Sequence, residues 1–184
     1  MKQLLMILTI MCCTITGWAQ QNKLTLNGGY VFTNVEETDA KATGWRINGL
    51  YEFNPQEGIL SHGISIGYIN TKSEYTSQLQ TSEYTLHNLP IYYAPKVQVG
   101  NDQVKGYLKG ALGIHISKYK RTGNAAEVTA SDAGFYGGAS LGGMFSITSN
   151  VFINVEYEWA YLSNSYYRSG FVNSVMGGIG FRFE

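Results

Sequence analysis

Between residues 104 and 117 the chain alternates with a period of two. Val104, Leu108, Leu112, Ile114 and Ile116, spaced by Gly106 and Gly110, hold the even positions. Lys105, Tyr107, Lys109, Ala111, Gly113, His115 and Ser117 hold the odd ones. A helix would scatter both sets around its axis, whereas a strand sorts them onto opposite faces, so the pattern predicts a strand. Residues 151–162 behave alike, with Val151, Ile153, Val155, Tyr157, Trp159 and Tyr161 opposing Asn154, Glu156 and Glu158. In 44–54, Trp45, Ile47, Tyr51 and Phe53 oppose Arg46, Asn48, Glu52 and Asn54. Similar alternation in 23–33, 63–70, 83–96, 133–147 and 170–183 predicts eight strands in all. Pro90 is the misfit. It has no N–H for a ladder, and a bulge or local irregularity is expected there.

The connections alternate too. Residues 34–43, 71–83, 118–132 and 162–170 are long and polar, while those near 54–60, 99–103 and 148–150 are shorter. Long loops at one end and short turns at the other mark an antiparallel up-and-down barrel of the outer-membrane kind, and an even strand count puts both termini at the short-turn end. The segments exceed the ~5–6 residues usual in soluble strands and approach the ~9–11 of a tilted membrane strand. The fold class expected is therefore all-β, an eight-stranded antiparallel transmembrane β-barrel.

Alternation does not say which face turns inward. A soluble exported ligand-binding barrel would bury the apolar set; a membrane barrel would show it to lipid. The polar set carries many glycines and small residues, as a narrow interior requires. The apolar set ends in aromatics. Phe53, Phe181 and Phe183 fall at the short-turn end, and Phe32, Trp45, Tyr68, Trp159 and Tyr161 toward the long loops. Two aromatic belts one bilayer apart are expected where rings sit at both lipid–water interfaces. The inward set then contains Arg46, Glu52, Lys105, Lys109, His115, Glu156, Glu158 and Arg182. Counting from strand ends places Lys109 and Glu156 near mid-height. It places Glu52, Lys105 and Arg182 near the short turns, and Arg46 near the long loops with Glu158 as a partner. Charges in so narrow a space need partners, so a cross-linked polar plug is expected rather than a wide channel.

Composition narrows this further. Charged residues are 14%, against ~25% in typical soluble proteins, which suits a chain with a lipid-facing surface. A mean hydropathy of −0.12 excludes a helical membrane protein. With 13 basic and 13 acidic residues, no basic surplus argues for nucleic acid. At the N-terminus Lys2 precedes an apolar run from Leu4 to Cys13, and Gly17-Trp18-Ala19 supplies small residues at a cleavage site. This predicts a secretory signal peptide over 1–19, cleaved after Ala19, ahead of a barrel over 20–184. The alternative is a short buried helix. Cys12 and Cys13 both lie in that segment, and Met11 before Cys12 argues against lipidation, so the mature chain has no disulfide.

The run Asn88-Leu89-Pro90-Ile91-Tyr92-Tyr93, followed by Gly106-Tyr107-Leu108-Lys109-Gly110-Ala111-Leu112-Gly113, resembles the central hairpin of the small outer membrane beta-barrel or porin-like family of Bacteroidota-type bacteria, similar to OmpX and the OmpA barrel. The ending Gly178-Ile179-Gly180-Phe181-Arg182-Phe183 resembles the last-strand signal read by the barrel assembly machinery. The resemblance implies an outer-membrane location and the assembly machinery and outer-membrane lipid or lipopolysaccharide as partners. It implies no single activity, because the fold hosts several.

Chemical motifs are sparse. There is no glycine-rich phosphate loop, no Cys/His metal spacing and no Gly-x-Ser-x-Gly elbow, so no cofactor, metal or catalytic set is expected. His115 and Ser117 share a strand face, as in the His-x-Ser pair of barrels that deacylate lipid A. Here they fall on the polar set with no strand acid beside them, and Glu127 is in a loop. An interior polar pair is the expectation and a lipid-modifying enzyme the alternative. Tyr75, Tyr119, Tyr166 and Tyr167 fall in the long loops, either as an adhesive surface or as rings folded onto the rim. Glu36-Glu37-Thr38-Asp39 is the one acidic cluster. The function expected is a non-enzymatic outer-membrane barrel with a structural, adhesive or minor small-solute channel role, acting as a monomer.

Overall fold

The computed structural model describes residues 21–35, 40–54, 58–77, 80–123 and 128–183. The expected signal peptide with Cys12 and Cys13, the acidic segment 36–39 and Glu127 lie outside the described residues. Nine strand segments follow one another: β1 Gln21–Asn34, β2 Lys41–Asn54, β3 Leu60–Ser77, β4 Gln80–Tyr93, β5 Lys96–Gly100, β6 Val104–Gly123, β7 Val128–Ser146, β8 Val151–Leu162 and β9 Phe171–Phe183. All pair antiparallel with their neighbours, and β9 returns to β1, closing the sheet. Closure leaves no edge strand to pair with other chains.

The nine segments make eight barrel strands. β4 and β5 hold one register: Ile64↔Tyr93 and Ser61↔Lys96 against β3, then Tyr93↔Leu112 and Lys96↔Lys109 against β6. Pro95 interrupts the ladder between them because it has no N–H to give. Pro90 acts in the same way. The register is unchanged on either side of it, from Ile66↔Ile91 to Ile69↔Asn88, so the ladder to β3 lapses with no bulge.

Strand continues where loops were expected in 71–83 and 118–132. β3 and β4 rise to Ser77↔Gln80, and β6 and β7 to Arg121↔Val128. The sequence conceals this because both faces of these stretches are polar there. Lys72, Thr85, Lys118 and Lys120 replace the lipid-facing aliphatics, while Thr-rich and Tyr-rich backbone goes on pairing.

Stepping from partner to partner from Leu24 through Tyr51, Ile64, Tyr93, Leu112, Gly137, Tyr161 and Phe171 returns to β1 two residues beyond Phe32, at Asn34. The strands are thus tilted, as a closed barrel demands. Residues far apart in ladder position are brought to one height inside.

The period-two pattern maps onto the two surfaces. Leu26, Ile47, Ile64, Leu108, Leu112, Leu141 and Val155 stand outward, and Leu141 is 68% exposed. Inside, Lys23, Arg46, Glu52, Lys109, His115, Glu156 and Glu158 are buried. Apolar outside and charged inside inverts the arrangement of a water-soluble barrel.

Candidate functional site

The lumen is filled by its own side chains, in layers. Two lumen-facing glycines make this possible. A Cβ at Gly180 would lie 2.1 Å from the Phe152 ring, and one at Gly142 would lie 2.4 Å from the Tyr107 ring. Both rings occupy space that any other residue would take.

The middle layers are ion pairs. Lys109 Nζ lies 2.6 Å from Glu156 Oε1 and 3.7 Å from Glu158 Oε2. Arg46 Nη1 donates to Glu158, and so does the Tyr136 hydroxyl. Arg46 Nη2 donates to the Tyr92 hydroxyl at 3.1 Å, and Tyr107 donates to Glu156 Oε2 at 2.8 Å. Tyr92 and Tyr136 stack at 4.9 Å beneath the guanidinium. Two cations and two carboxylates are thereby closed off by four-membered pairing and three phenols, which is what dry charges need.

Nearer the short turns, Lys96 Nζ lies 2.5 Å from the Glu52 carboxylate, which also accepts from Ser61 at 3.1 Å. Lys23 donates to Gln98 at 3.2 Å. The sequence reading grouped Glu52 with Lys105 and Arg182, but the carboxylate pairs with Lys96. Lys105 is half-buried and forms no ion pair among the described residues, and Arg182 donates to Ser149 O and Ser146 Oγ. The register sets this: Glu52 pairs with Gly63 and Lys96 with Ser61, so β5 lies one strand from Glu52 and Lys96 reaches it over β3, whereas Lys105 lies on β6 beyond. Lys23 and Lys96 were missed. Both share the inward parity of their strands, so parity alone could have found them.

Nearer the long loops runs a neutral chain. Asn88 Nδ2 donates to the Tyr167 hydroxyl at 2.8 Å, so its Oδ1 accepts the Ser117 hydroxyl at 2.5 Å. His115 Nδ1 lies 2.8 Å from Ser117 Oγ, so the pair continues the chain, and both residues are fully buried on the lumen side of β6. No carboxylate bonds this His among the described residues.

Tyr167 belongs to the segment between β8 and β9, yet its ring is buried, 3% exposed, with its hydroxyl 2.9 Å from Thr71 Oγ1. Burial pushes the phenol up, so it keeps that proton. Tyr166 stacks on Tyr119 at 4.4 Å, and Tyr119 packs on Tyr84. The rings of this end therefore fold into the mouth. Tyr75 lies in β3, and its side chain is outside the described ones. Tyr167→Phe should strand Thr71 and Asn88, at a cost of about 1–2 kcal/mol, and speed amide exchange across 163–170.

On the outside, Trp45 meets Tyr68 at 5.3 Å, Tyr68 bonds His87 at 2.5 Å, and Trp159 stacks on Phe171, which Tyr161 meets edge-on. Phe32 stands 37% exposed at the same end. At the other end Phe53 stacks on His62, Tyr51 meets Phe183, and Phe181 is exposed. Beyond the upper belt, Lys72 lies 3.0 Å from Glu83 and holds its carboxyl below the ordinary range.

Two aromatic belts, an apolar waist and a closed eight-stranded sheet describe a membrane-spanning barrel. The sequence matches the outer membrane protein beta-barrel domain over residues 5–183. The chain belongs to that family. Membership places it in the outer membrane and removes the soluble-barrel alternative. Among solved structures it is similar to neisserial surface protein A, with a TM-score of 0.64 and 12% identity over 88% of this chain and 97% of that one. A major outer membrane protein from Thermus thermophilus gives 0.61 and 9%, over 88% and 99%. Ail, the attachment invasion locus protein of Yersinia pestis, gives 0.55 and 18%, over 89% and 99%. At these identities the likeness is one of fold. No curated protein matches the chain in sequence.

β9 ends in the outward rings of Phe181 and Phe183. Outward aromatics at the closing end anchor at the interface. Replacing both Phe181 and Phe183 by Ala should lower the yield of folded barrel several-fold with expression unchanged. Heat-modifiable gel migration measures this. Unchanged yield would remove any assembly role from these rings.

Proposed function

We propose that this protein is a non-enzymatic outer-membrane barrel whose lumen is a plug and whose work is done by its long-loop end. The observation that carries the reading is the buried block of Arg46, Lys109, Glu156 and Glu158. Moving a solute past it would strand charges in a space their partners now fill, at several kcal/mol each. The role left to such a barrel is structural or adhesive, through the β3–β4 and β6–β7 hairpins that rise past the upper belt. The purified barrel in planar bilayers tests this. Conductance near the bilayer baseline is expected; large, stable single-channel steps would instead make it a solute channel. A strain lacking the gene should then show loss of adhesion or altered envelope sensitivity.

The enzyme alternative, a lipid-modifying barrel using His115 and Ser117, is disfavoured by the full burial of both residues inside the lumen, away from the lipid-facing surface. An unchanged lipid A mass spectrum on deletion is the expected result. Cleavage of residues 1–19 after Ala19, a Bacteroidota-type source, monomeric state, lipopolysaccharide contact and handling by the assembly machinery belong to the same reading. N-terminal sequencing of the membrane-extracted protein should begin at Gln20.

A further inference from the structure

The charges of the lumen are unevenly spread. At mid-height Arg46 and Lys109 face Glu156 and Glu158, two against two. Toward the short turns the described inward charges are Lys23, Lys96, Lys105 and Arg182 against Glu52. Lys96 takes that carboxylate. Lys23, only 1% exposed, keeps Gln98 as its hydrogen-bond partner, drawn by Glu52 and repelled by Lys96, Lys105 and Arg182. Neither Lys23, Lys105 nor Arg182 forms an ion pair among the described residues.

This excess of cations has an opening. A cavity of about 460 Å³ lies between the β5–β6 and β7–β8 turns, lined by Asp102, Gln103, Lys105, Thr148 and Arg182. Arg182 is already oriented. Its Nη2 donates to Ser146 Oγ at 2.8 Å, its Nη1 to Ser149 O at 3.1 Å, and its plane lies over Phe152 at 5.0 Å. A guanidinium fixed in advance loses little freedom when an anion arrives. Thr148 Oγ1 accepts from the Asn150 and Val151 amides, which leaves its proton to donate. Behind this recess Tyr107, Met144 and Phe152 pack together, so an anion that enters goes no further.

We propose that the short-turn mouth of the barrel, between Lys105 and Arg182 with Lys23 behind them, binds a multivalent oxyanion of the phosphate class. Two separated cations select for charge spread over several oxygens, since chloride satisfies one at a time. Asp102, in the same lining, attracts Arg182 and repels an anion, which sets the affinity low. The site lies apart from the mid-height ion pairs, so its failure would leave the plug untouched and the conductance test independent.

The test is titration of the isotope-labelled barrel, refolded in zwitterionic micelles, with inorganic phosphate at low ionic strength, read by amide chemical shifts. Saturable shifts are expected at 102–105, 146–150 and 182, with chloride much weaker. Lys105→Gln with Arg182→Gln should weaken binding roughly tenfold. Asp102→Asn should tighten it several-fold. Lys105→Gln alone keeps the test readable if the double variant folds poorly, because Lys105 is half-buried and unpaired, and it should already weaken phosphate. Shifts that do not saturate, that chloride reproduces, or that survive Lys105→Gln undiminished would overturn the proposal.

Discussion

Lys109→Ala should destabilise the barrel by about 3–5 kcal/mol, the cost of leaving a buried partner charge uncompensated. Among the described residues Lys109 is the one cation that forms ion pairs with both Glu156 and Glu158, at 2.6 and 3.7 Å. Without it Glu158 keeps Arg46 and Tyr136, but among the described residues Glu156 keeps the Tyr107 hydroxyl as its one hydrogen-bond donor, with Lys96 acting on it from a distance. A phenol shares a carboxylate's charge without cancelling it. Lys109→Ala with Glu156→Ala removes the stranded group as well as its partner, so the double variant should be more stable than the single one. With Glu156→Ala measured as well, the cycle gives the coupling energy of the pair. Urea unfolding in micelles, followed by tryptophan fluorescence, measures both. A wet lumen with separately solvated charges would show less than about 1 kcal/mol for the single variant and no recovery.

Much of this site was legible from parity and height. Lys109 and Glu156 sit on inward positions about equally far from their strand ends, and Arg46 pairs with Glu158, because alternation fixes the face; the pair expected toward the long loops instead joins Lys109 in one mid-height cluster. The tilt was not legible, because it depends on which register each hairpin adopts. Hence Glu52 meets Lys96, not Lys105. Lys96 itself hid at the end of a segment read as finishing there, just past the Pro95 that splits the strand. Tyr167 was beyond any pattern. It is placed by the path of a short connection with Ser169 and Gly170 at positive φ, which turns the ring down onto Thr71 and Asn88. The long-loop tyrosines gave no sign of whether they point to water or inward. Strands above the upper belt read as loops because their outward positions are polar and their buried inward positions, such as Thr71, Ser73 and Ser82, are polar too, so no apolar half marks the alternation though the backbone pairing survives.

The outer surface makes the second large prediction. Leu141 lies in β7 between Phe135 and Phe145, which stand exposed toward opposite ends of the barrel, so it falls near the middle of the apolar waist. Its cross-strand neighbours are Leu108 and Tyr157, neither of which offers a charge or a water path. An arginine there must stretch to an interface or bring water with it. Leu141→Arg should therefore cost about 2–4 kcal/mol in a lipid bilayer. In a water-soluble barrel an exposed Leu→Arg change would fall within about 0.5 kcal/mol, so the size of the effect reports the solvent that the side chain meets. Ser140→Arg, one residue away on the buried face, should fail differently, by crowding a lumen already filled, and its penalty should not depend on bilayer thickness. Unfolding of both variants in liposomes of short-chain and long-chain lipid separates the two routes. The Leu141→Arg penalty should grow as the hydrocarbon thickens, because the guanidinium has further to reach. A penalty for Leu141→Arg that is small and insensitive to lipid would mean that this face does not meet the membrane.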